Sequence, residues 1–401
     1  MYISNIQHLI SYFCFAAIMS CHGTTQKKAD PISPEPVQVV TGTEQVDAYL
    51  PLIENKKVGL LVNHTSMVGE VHLLDTLIAM GVEVVKIYAP EHGFRGDADA
   101  GEHIGNSVDA KTGVPVISVY GDHRKPTPED LENVDVVIFD SQDVGARFFT
   151  YFSAMQYMME ACAENGVDLI IFDRPNPNGH YVDGPVLEME NKSYVGMNPM
   201  PIVPGLTAGE YAQMIVGEKW INQAESLQLT VIKMEGWDHN TAYSLTVKPS
   251  PNLPNDQSIA LYPSICLFEG TKVSVGRGTM MPFQIIGLPD STMGSFSFKP
   301  RSIEGMSKYP PYLDQVCYGY DLRKVKVDNR IDLGYLIEFY NKSKDKESFF
   351  NKYFVKLAGT NQLQKQIEEG KTENEIRQSW QDGLASFKEK RKKYLLYKDF
   401  E

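Results

Sequence analysis

The stretch that decides the fold is VDVVIFDSQDVGARFFTYFSAMQYMMEACAENGVDLIIFDRPNP, at residues 134–177. Residues 136–139 and 169–172 are continuous apolar runs, which are typical of parallel strands covered on both faces. Between them apolar side chains recur at helical spacing, and Gly166 follows as a stop signal. The stretch therefore predicts a strand, a helix and a second strand that lies parallel to the first.

Three more apolar runs precede this unit, at residues 58–62, 82–89 and 114–120, and they are separated by helical patterns and polar loops. Strands that alternate with helices predict an α/β fold with a doubly wound parallel sheet and right-handed crossovers. Ligands bind such sheets at the carboxyl ends of the strands. The chemically active residues just after the predicted strands are His64, Glu91, His92, Asp143 and Asp173.

The composition limits the size and the partners of the protein. A chain of 401 residues, 42% of them hydrophobic, has room for two domains with sizeable cores. The net charge of −13 argues against nucleic acid, because nucleic-acid binding rests on Lys and Arg that neutralise phosphates. From about residue 248, short β-like runs and turn-prone segments replace the alternating pattern, which indicates a second domain.

The N-terminus predicts export. Residues 9–20 are largely apolar but too short to anchor the chain as a membrane-spanning helix. Residues 18–21 resemble the lipobox of bacterial lipoproteins, in which the cysteine, here Cys21, is lipidated after cleavage; an ordinary cleaved signal peptide is the alternative. We predict a lipoprotein-type signal peptide at 1–21, a flexible tether at 22–45, a periplasmic or outer-membrane location, and membrane contact only through the lipid.

No familiar catalytic or cofactor motif is present. The P-loop, the nucleophile elbow, the zinc-binding H-E-x-x-H helix and the dinucleotide-binding glycine pattern are all missing in usable context, so we predict no cofactor. A metal-dependent hydrolase is an alternative, because metal sites combine His with carboxylates. The candidate metal ligands are His64, His92, His103, His123, Asp97 and Asp99. However, no two of these histidines have the i, i+4 spacing of a helical pair.

Several motifs occur in an order that resembles one family. They are APEHGFRG at 89–96, FDSQDVGARFFTY at 139–151, DRPNP at 173–177, FEGT at 268–271 and GRGT at 276–279. Together they are similar to the exo-β-N-acetylmuramidases, glycoside hydrolases long catalogued as the domain of unknown function DUF1343, and the resemblance covers residues 56–401.

The resemblance implies both a fold and an activity. It implies a Rossmann-like domain, here 46–247, a smaller α+β domain, here 248–401, and an active site in the cleft between them. The implied reaction removes N-acetylmuramic acid (MurNAc) from the non-reducing ends of peptidoglycan fragments during cell-wall turnover. Two positions depart from the family motifs: Val275 stands where an acidic residue is expected, and Pro204 where many members have His. We interpret both as tuning of specificity or rate.

Glycoside hydrolysis usually needs an acid for the leaving oxygen and a second carboxylate as base or nucleophile. Glu91, at a strand exit in a glycine-bounded loop, is the predicted general acid; its structural alternative is an ion pair with Arg95. The second carboxylate stays open among Asp143, Asp173 and Glu269. In a further alternative the acetamido group of MurNAc is the nucleophile and a carboxylate orients it.

Substrate binding has its own candidates. MurNAc carries a lactyl carboxylate, which a guanidinium can hold with two parallel hydrogen bonds. The other predicted contacts to the MurNAc-GlcNAc saccharide come from polar residues of the motif loops, whereas Phe148 and Phe149 are more typical of core. The substrate-binding candidates are His64, His92, Arg147, Tyr151, Arg174, Asn176, Asn252 and Arg277. A lipoprotein that binds wall sugars without cleaving them is the remaining alternative.

Overall fold

A seven-stranded sheet organises the N-terminal part of the computed structural model, which describes residues 38–91, 93–95 and 105–401. Its strands and those of two smaller sheets are β1 (Lys57–Val62), β2 (Met67–Val68), β3 (Val71–His72), β4 (Glu83–Ala89), β5 (Ser107–Val108), β6 (Pro115–Ser118), β7 (Val136–Asp140), β8 (Asp168–Phe172), β9 (Leu229–Ile232), β10 (Ile285–Leu288), β11 (Phe296–Phe298) and β12 (Cys317–Asp321). The helices are α1 (Val46–Ile53), α2 (Leu73–Ala79), α3 (Tyr151–Asn165), α4 (Ala208–Gly217), α5 (Asp256–Ile265), α6 (Gly334–Lys342), α7 (Phe354–Ala358), α8 (Gln362–Glu368), α9 (Glu373–Gln378) and α10 (Gln381–Arg391).

The strand order of the large sheet is that of a Rossmann-like fold. The order is β5-β6-β4-β1-β7-β8-β9, and every pair is parallel except the edge strand β5 against β6. The chain starts at β1, builds outward through β4 and β6, then returns to the other side of β1 to add β7, β8 and β9. This reversal confirms the predicted doubly wound sheet, and such sheets bind ligands near the reversal, outside the carboxyl ends of the strands.

The decisive unit forms as its sequence predicts. Strands β7 and β8 pair in parallel, and α3, which lies between them in the chain, buries its apolar side chains. Gly166 ends α3 in the left-handed conformation, with φ of 67°, which a residue without a side chain adopts at little cost. The next long helix, α4, begins with a capping box: the Thr207 side chain accepts from the Glu210 amide, and the Glu210 side chain accepts from the Thr207 amide.

The C-terminal part is smaller and mixes helices with an antiparallel sheet, β10-β12-β11. An apolar stripe near the end of the chain lies on α9 and α10 and is buried, so these helices pack on the body of the protein. The boundary between residues 247 and 248 stays a prediction. In the described part of the chain no helix is long and apolar enough to cross a bilayer. Cys21 and residues 22–37 of the tether lie outside the described residues.

One buried cation joins the loop after β7 to the C-terminal part. Arg147 is 2% exposed, and its Nη1 donates to the carbonyl oxygens of Pro185, at 3.1 Å, and Met200, at 2.8 Å. Its Nη2 donates to the carbonyl oxygens of Leu357, at 2.8 Å, and Ala358, at 2.9 Å, which end α7. These four donors are therefore committed to the backbone, and Arg147 stabilises the fold.

Replacing Arg147 with Met should lower the free energy of unfolding by about 3 kcal/mol or more, because buried carbonyls lose their donors. Denaturant unfolding measures the change. The matched control is Arg323→Met, since Arg323 is exposed and pairs with Asp321 two residues away; it should change stability by less than about 0.5 kcal/mol. Equal effects of the two substitutions would contradict the structural role of Arg147.

Candidate active site

A cavity of about 400 Å³ lies at the carboxyl-end side of the sheet and is the candidate site. Its lining comes from the loops after β4, β6 and β7, from the start of α3, and from segments on both sides of residue 248. A volume of this size is in the range of small-molecule sites, about 300–1,000 Å³. The cavity thus draws on the predicted N-terminal and C-terminal parts of the chain together.

Glu91 lines this cavity and is held by hydroxyl groups. Its Oε2 accepts a hydrogen bond from Thr150 Oγ1 at 3.0 Å, and it also pairs with the Tyr120 hydroxyl. Burial, followed by the nearby Glu91 charge, raises the pKa of Tyr120, so the phenol keeps its proton as a donor. Arg95, the structural alternative partner, instead forms a two-bond ion pair with Asp109.

Glu269 lines the same cavity from the C-terminal part. Its Oε1 accepts from Arg277 Nε at 2.5 Å, so an ion pair within the protein holds this carboxyl group in the cavity. Burial acts to lower the pKa of Arg277, but the Glu269 charge outweighs it and the pKa is raised, so the guanidinium stays charged. Tyr353 also lines this cavity from the C-terminal part.

A second cation of the cavity was missed by sequence reasoning. Arg124 lies in the polar loop after β6, and its guanidinium stacks over the Tyr194 ring at 4.6 Å from the centroid. No carboxylate among the described residues forms an ion pair with it, in contrast to Arg277. The sequence places Arg124 in a polar loop after a predicted strand. Nothing in the neighbouring sequence distinguishes it from an ordinary surface arginine.

Three polar atoms of the cavity lining are buried and have no hydrogen-bond partner among the described residues. They are Ser193 Oγ, Tyr194 Oη and Asn252 Oδ1. Because nearly all buried polar groups in native proteins are paired, such atoms at one cavity indicate a place for a polar ligand. Asn252 was a predicted binding residue, whereas Ser193 and Tyr194 follow no motif and gave no signal.

The aromatic wall is both core and cavity lining. Phe148 and Phe149 are 3% and 8% exposed, and both pack edge-on against Tyr262. Tyr151 is 2% exposed, and its hydroxyl donates to the Pro249 carbonyl oxygen at 3.2 Å. The core interpretation of the two phenylalanines therefore agrees with their burial, and Tyr151 forms part of the wall with its hydroxyl committed to the backbone.

Asp173 does not reach the cavity. It is fully buried and accepts hydrogen bonds from the Thr207 hydroxyl at 2.7 Å, the Gly209 amide at 2.9 Å and the Tyr397 hydroxyl at 2.7 Å. Burial raises its pKa to about 6 in spite of these donors. The predicted catalytic candidate therefore anchors the start of α4, because its oxygens are occupied by the protein itself.

Other binding candidates are also committed to the protein. Arg174 forms two hydrogen bonds with Asp140, at 2.5 and 2.9 Å, and Asn176 Nδ2 donates to the Leu206 carbonyl oxygen at 2.8 Å. Arg147, described above, has four donors on backbone carbonyls, so it has no pair of donors for a lactyl carboxylate. None of these candidates is among the described residues that line the cavity.

The described histidines among the candidate metal ligands, His64 and His123, have different partners. His64 Nε2 contacts the Lys248 carbonyl oxygen at 2.8 Å outside the cavity, and His123 pairs with Asp130. The other candidate metal ligands are His92, Asp97, Asp99 and His103, and they lie outside the described residues. Among the residues that are described, no group of three His, Cys, Asp or Glu side chains is placed to hold a metal ion.

Asp143 lies in the loop after β7 and is absent from the described cavity lining. It is 6% exposed, its Oδ1 accepts from the Gly145 amide at 2.6 Å, and its Oδ2 has no partner among the described residues. Burial raises the pKa of Asp143 to about 7, although the amides of Gly145 and Val144 act to lower it. This candidate is therefore a buried carboxyl group and not a wall of the cavity.

Asp143→Asn should stabilise the protein more at high pH than at low pH. The pKa of Asp is near 4 in the unfolded chain and about 7 in the folded protein. The raised pKa therefore contributes stability that is fully present below pH 4 and is lost as the pH rises through 7. The advantage of the variant should therefore grow by about 2 kcal/mol between about pH 5 and pH 8. Denaturant unfolding at the two pH values measures it; an advantage that does not change with pH would contradict the raised pKa.

The chain is similar to known proteins over nearly its whole length. The family model described as exo-β-N-acetylmuramidase NamZ, N-terminal, matches residues 58–257, and its C-terminal counterpart matches residues 260–397. Peptidoglycan β-N-acetylmuramidase NamZ from Bacillus subtilis (strain 168) is 36% identical over 413 residues, which cover 97% of this chain and 98% of that protein.

Two solved structures of DUF1343 family proteins from Bacteroides fragilis NCTC 9343 are similar in fold. The first has a TM-score of 0.84 at 46% identity and covers 90% of this chain and 99% of its own. The second has a TM-score of 0.77 at 29% identity and covers 91% of this chain and 100% of its own. The sequence motifs, the two domain matches and these structures agree, and the chain belongs to the exo-β-N-acetylmuramidase NamZ family.

Proposed function

We propose that this protein is a glycosidase that releases MurNAc from the non-reducing ends of peptidoglycan fragments, with Glu91 and Glu269 as its two working carboxylates. The observation that carries the proposal is that both side chains line one cavity although they come from different family matches, 58–257 and 260–397. The printed activity of the Bacillus subtilis relative supports the substrate class.

Glu91 is the proposed general acid. It protonates the glycosidic oxygen as the bond to the anomeric carbon breaks, and so the leaving sugar departs as an alcohol. The hydroxyls of Thr150 and Tyr120 bind the carboxyl group and fix its orientation. Orientation matters here because a catalytic proton donor acts only within hydrogen-bond reach of its target.

Glu269 is the proposed charged partner. Its ion pair with Arg277 fixes the carboxyl group in the cavity, and the second residue of a glycosidase acts as a carboxylate. An anionic oxygen at this place serves each of the known schemes: it activates a water molecule, attacks the anomeric carbon, or orients the acetamido group for internal attack.

Glu91→Gln and Glu269→Gln should each reduce release of MurNAc from a MurNAc-GlcNAc disaccharide by about a thousandfold, because each amide keeps the shape but loses the acid or the charge. Binding of free MurNAc should persist in Glu91→Gln. Glu132→Gln, a loss of one exposed carboxylate away from the cavity, is the control and should keep full activity. Wild-type protein that binds the sugar but releases none would instead support a sugar-binding lipoprotein.

Arg124 is the proposed anchor for the lactyl carboxylate. It lines the cavity and has no ion-pair partner among the described residues, whereas Arg277 forms an ion pair with Glu269. The Tyr194 ring beneath it orients the planar guanidinium, and a planar guanidinium holds a carboxylate through two bonds. We propose this residue in place of Arg147 and Arg174.

Arg124→Gln should weaken binding of free MurNAc by about tenfold or more, because a charge-assisted hydrogen-bond pair is lost. Binding of N-acetylglucosamine, which has no lactyl group, should hardly change. Calorimetric titration of both sugars measures the difference, and Arg323→Gln, an exposed arginine outside the cavity, is the control. An equal loss for both sugars would mean that Arg124 only supports the Tyr194 ring.

We also propose that the protein acts outside the cytoplasm in cell-wall turnover. The apolar segment before Cys21 and the lipobox-like residues 18–21 support export and lipid attachment. Labelling of cells with a radioactive fatty acid tests this, since Cys21→Ser should abolish incorporation into the protein.

A further inference from the structure

Asn252 has an amide group whose orientation is fixed by the fold. Its side chain is 2% exposed at the cavity wall, and its Nδ2 donates to the Met306 carbonyl oxygen at 2.9 Å. The Asn252 backbone amide donates to Ser250 Oγ at 3.2 Å, which holds the residue in its turn. Because a carbonyl oxygen only accepts, the nitrogen must point to Met306, and Oδ1 occupies the other position.

That oxygen is a buried acceptor in need of a donor. Asn252 Oδ1 has no hydrogen-bond partner among the described residues and is shielded from bulk water. An unpaired buried acceptor is costly, so a ligand that supplies a donor is favoured there. The other two unpaired groups, on Ser193 and Tyr194, are hydroxyls that can both donate and accept, and they therefore do not select for a donor.

The chemistry of the sugar matches this asymmetry. The hydroxyls of MurNAc donate and accept, and its lactyl carboxylate and acetamido carbonyl only accept at neutral pH. The acetamido N–H is the group of the sugar that only donates. An atom that only accepts, in a buried site, pairs best with a group that only donates, because neither has another way to satisfy its hydrogen bond.

We propose that Asn252 accepts the hydrogen bond of the 2-acetamido N–H and so makes the cavity selective for N-acetylated sugars, an inference that rests on the proposed function. The carbonyl oxygen of the same acetamido group then accepts hydrogen bonds from donors elsewhere in the cavity. The role is one of specificity: Asn252 distinguishes an amide from an isosteric ester, in which an oxygen with only lone pairs replaces the N–H.

The test compares two free sugars that differ in this one group, MurNAc and its 2-O-acetyl ester counterpart. Calorimetry measures the Kd of each sugar with wild type, Asn252→Ala, Asn252→Asp and Ser193→Ala. Wild type should prefer the amide by about 10- to 100-fold, since the ester brings two acceptors together. Asn252→Ala should reduce the preference to near unity, whereas Asn252→Asp, which keeps an acceptor, and Ser193→Ala should both retain it.

The outcomes separate the inference from the proposed function. Equal affinity of wild type for the two sugars overturns the role of Asn252 even if no variant folds. A loss of affinity in Asn252→Ala that is the same for both sugars means that the residue only supports the turn through Met306. If wild type cleaves the MurNAc-GlcNAc disaccharide in parallel, the function stands in either case; if it neither binds MurNAc nor cleaves the disaccharide, the function and the inference fall together.

Discussion

The guanidinium of Arg147 is the contact on which the cavity depends. It lies in the loop that carries Phe148 to Tyr151 into the cavity wall, and it binds the carbonyl oxygens at the end of α7. Tyr353, just before α7, lines the cavity on the other side. Gly359 lets the cation approach so closely: a Cβ there would lie 2.4 Å from Arg147 Nη2, at a φ of 79°. One buried cation therefore joins the loop that carries part of the cavity lining to α7, the helix that follows Tyr353.

The charges of the cavity are arranged in two different ways. Glu269 and Arg277 neutralise each other within the protein, whereas Arg124 lies on an aromatic ring with no carboxylate partner among the described residues. Glu91 accepts hydrogen bonds from the hydroxyls of Thr150 and Tyr120. Carboxylates in such different surroundings suit different tasks, one as proton donor and one as anion, which is how glycosidases divide the work between two similar side chains.

The fold followed from the sequence because its signals are local. Continuous apolar runs, glycine stops and a capping box each act within a few residues, and the sheet confirmed them. The site was predicted less well. Strand ends indicated Glu91, which lines the cavity, but Asp143 and Asp173 also follow strands and are buried outside the cavity lining. Arg124 and Tyr194 meet through tertiary packing, with no motif that joins them, so no pattern in the chain pointed to that pair.

The ion pair of Asp140 with Arg174 has a consequence for how this sheet is used. Asp140 ends β7, and Arg174 follows β8 and also donates to the Met67 carbonyl oxygen after β1. These are the strand ends beside the reversal, where related sheets seat a dinucleotide. Here the protein's own salt bridge joins those strand ends, and the loops after β4, β6 and β7 line the candidate cavity. The guanidinium that could have held a phosphate at these strand ends therefore binds a carboxylate of the protein itself.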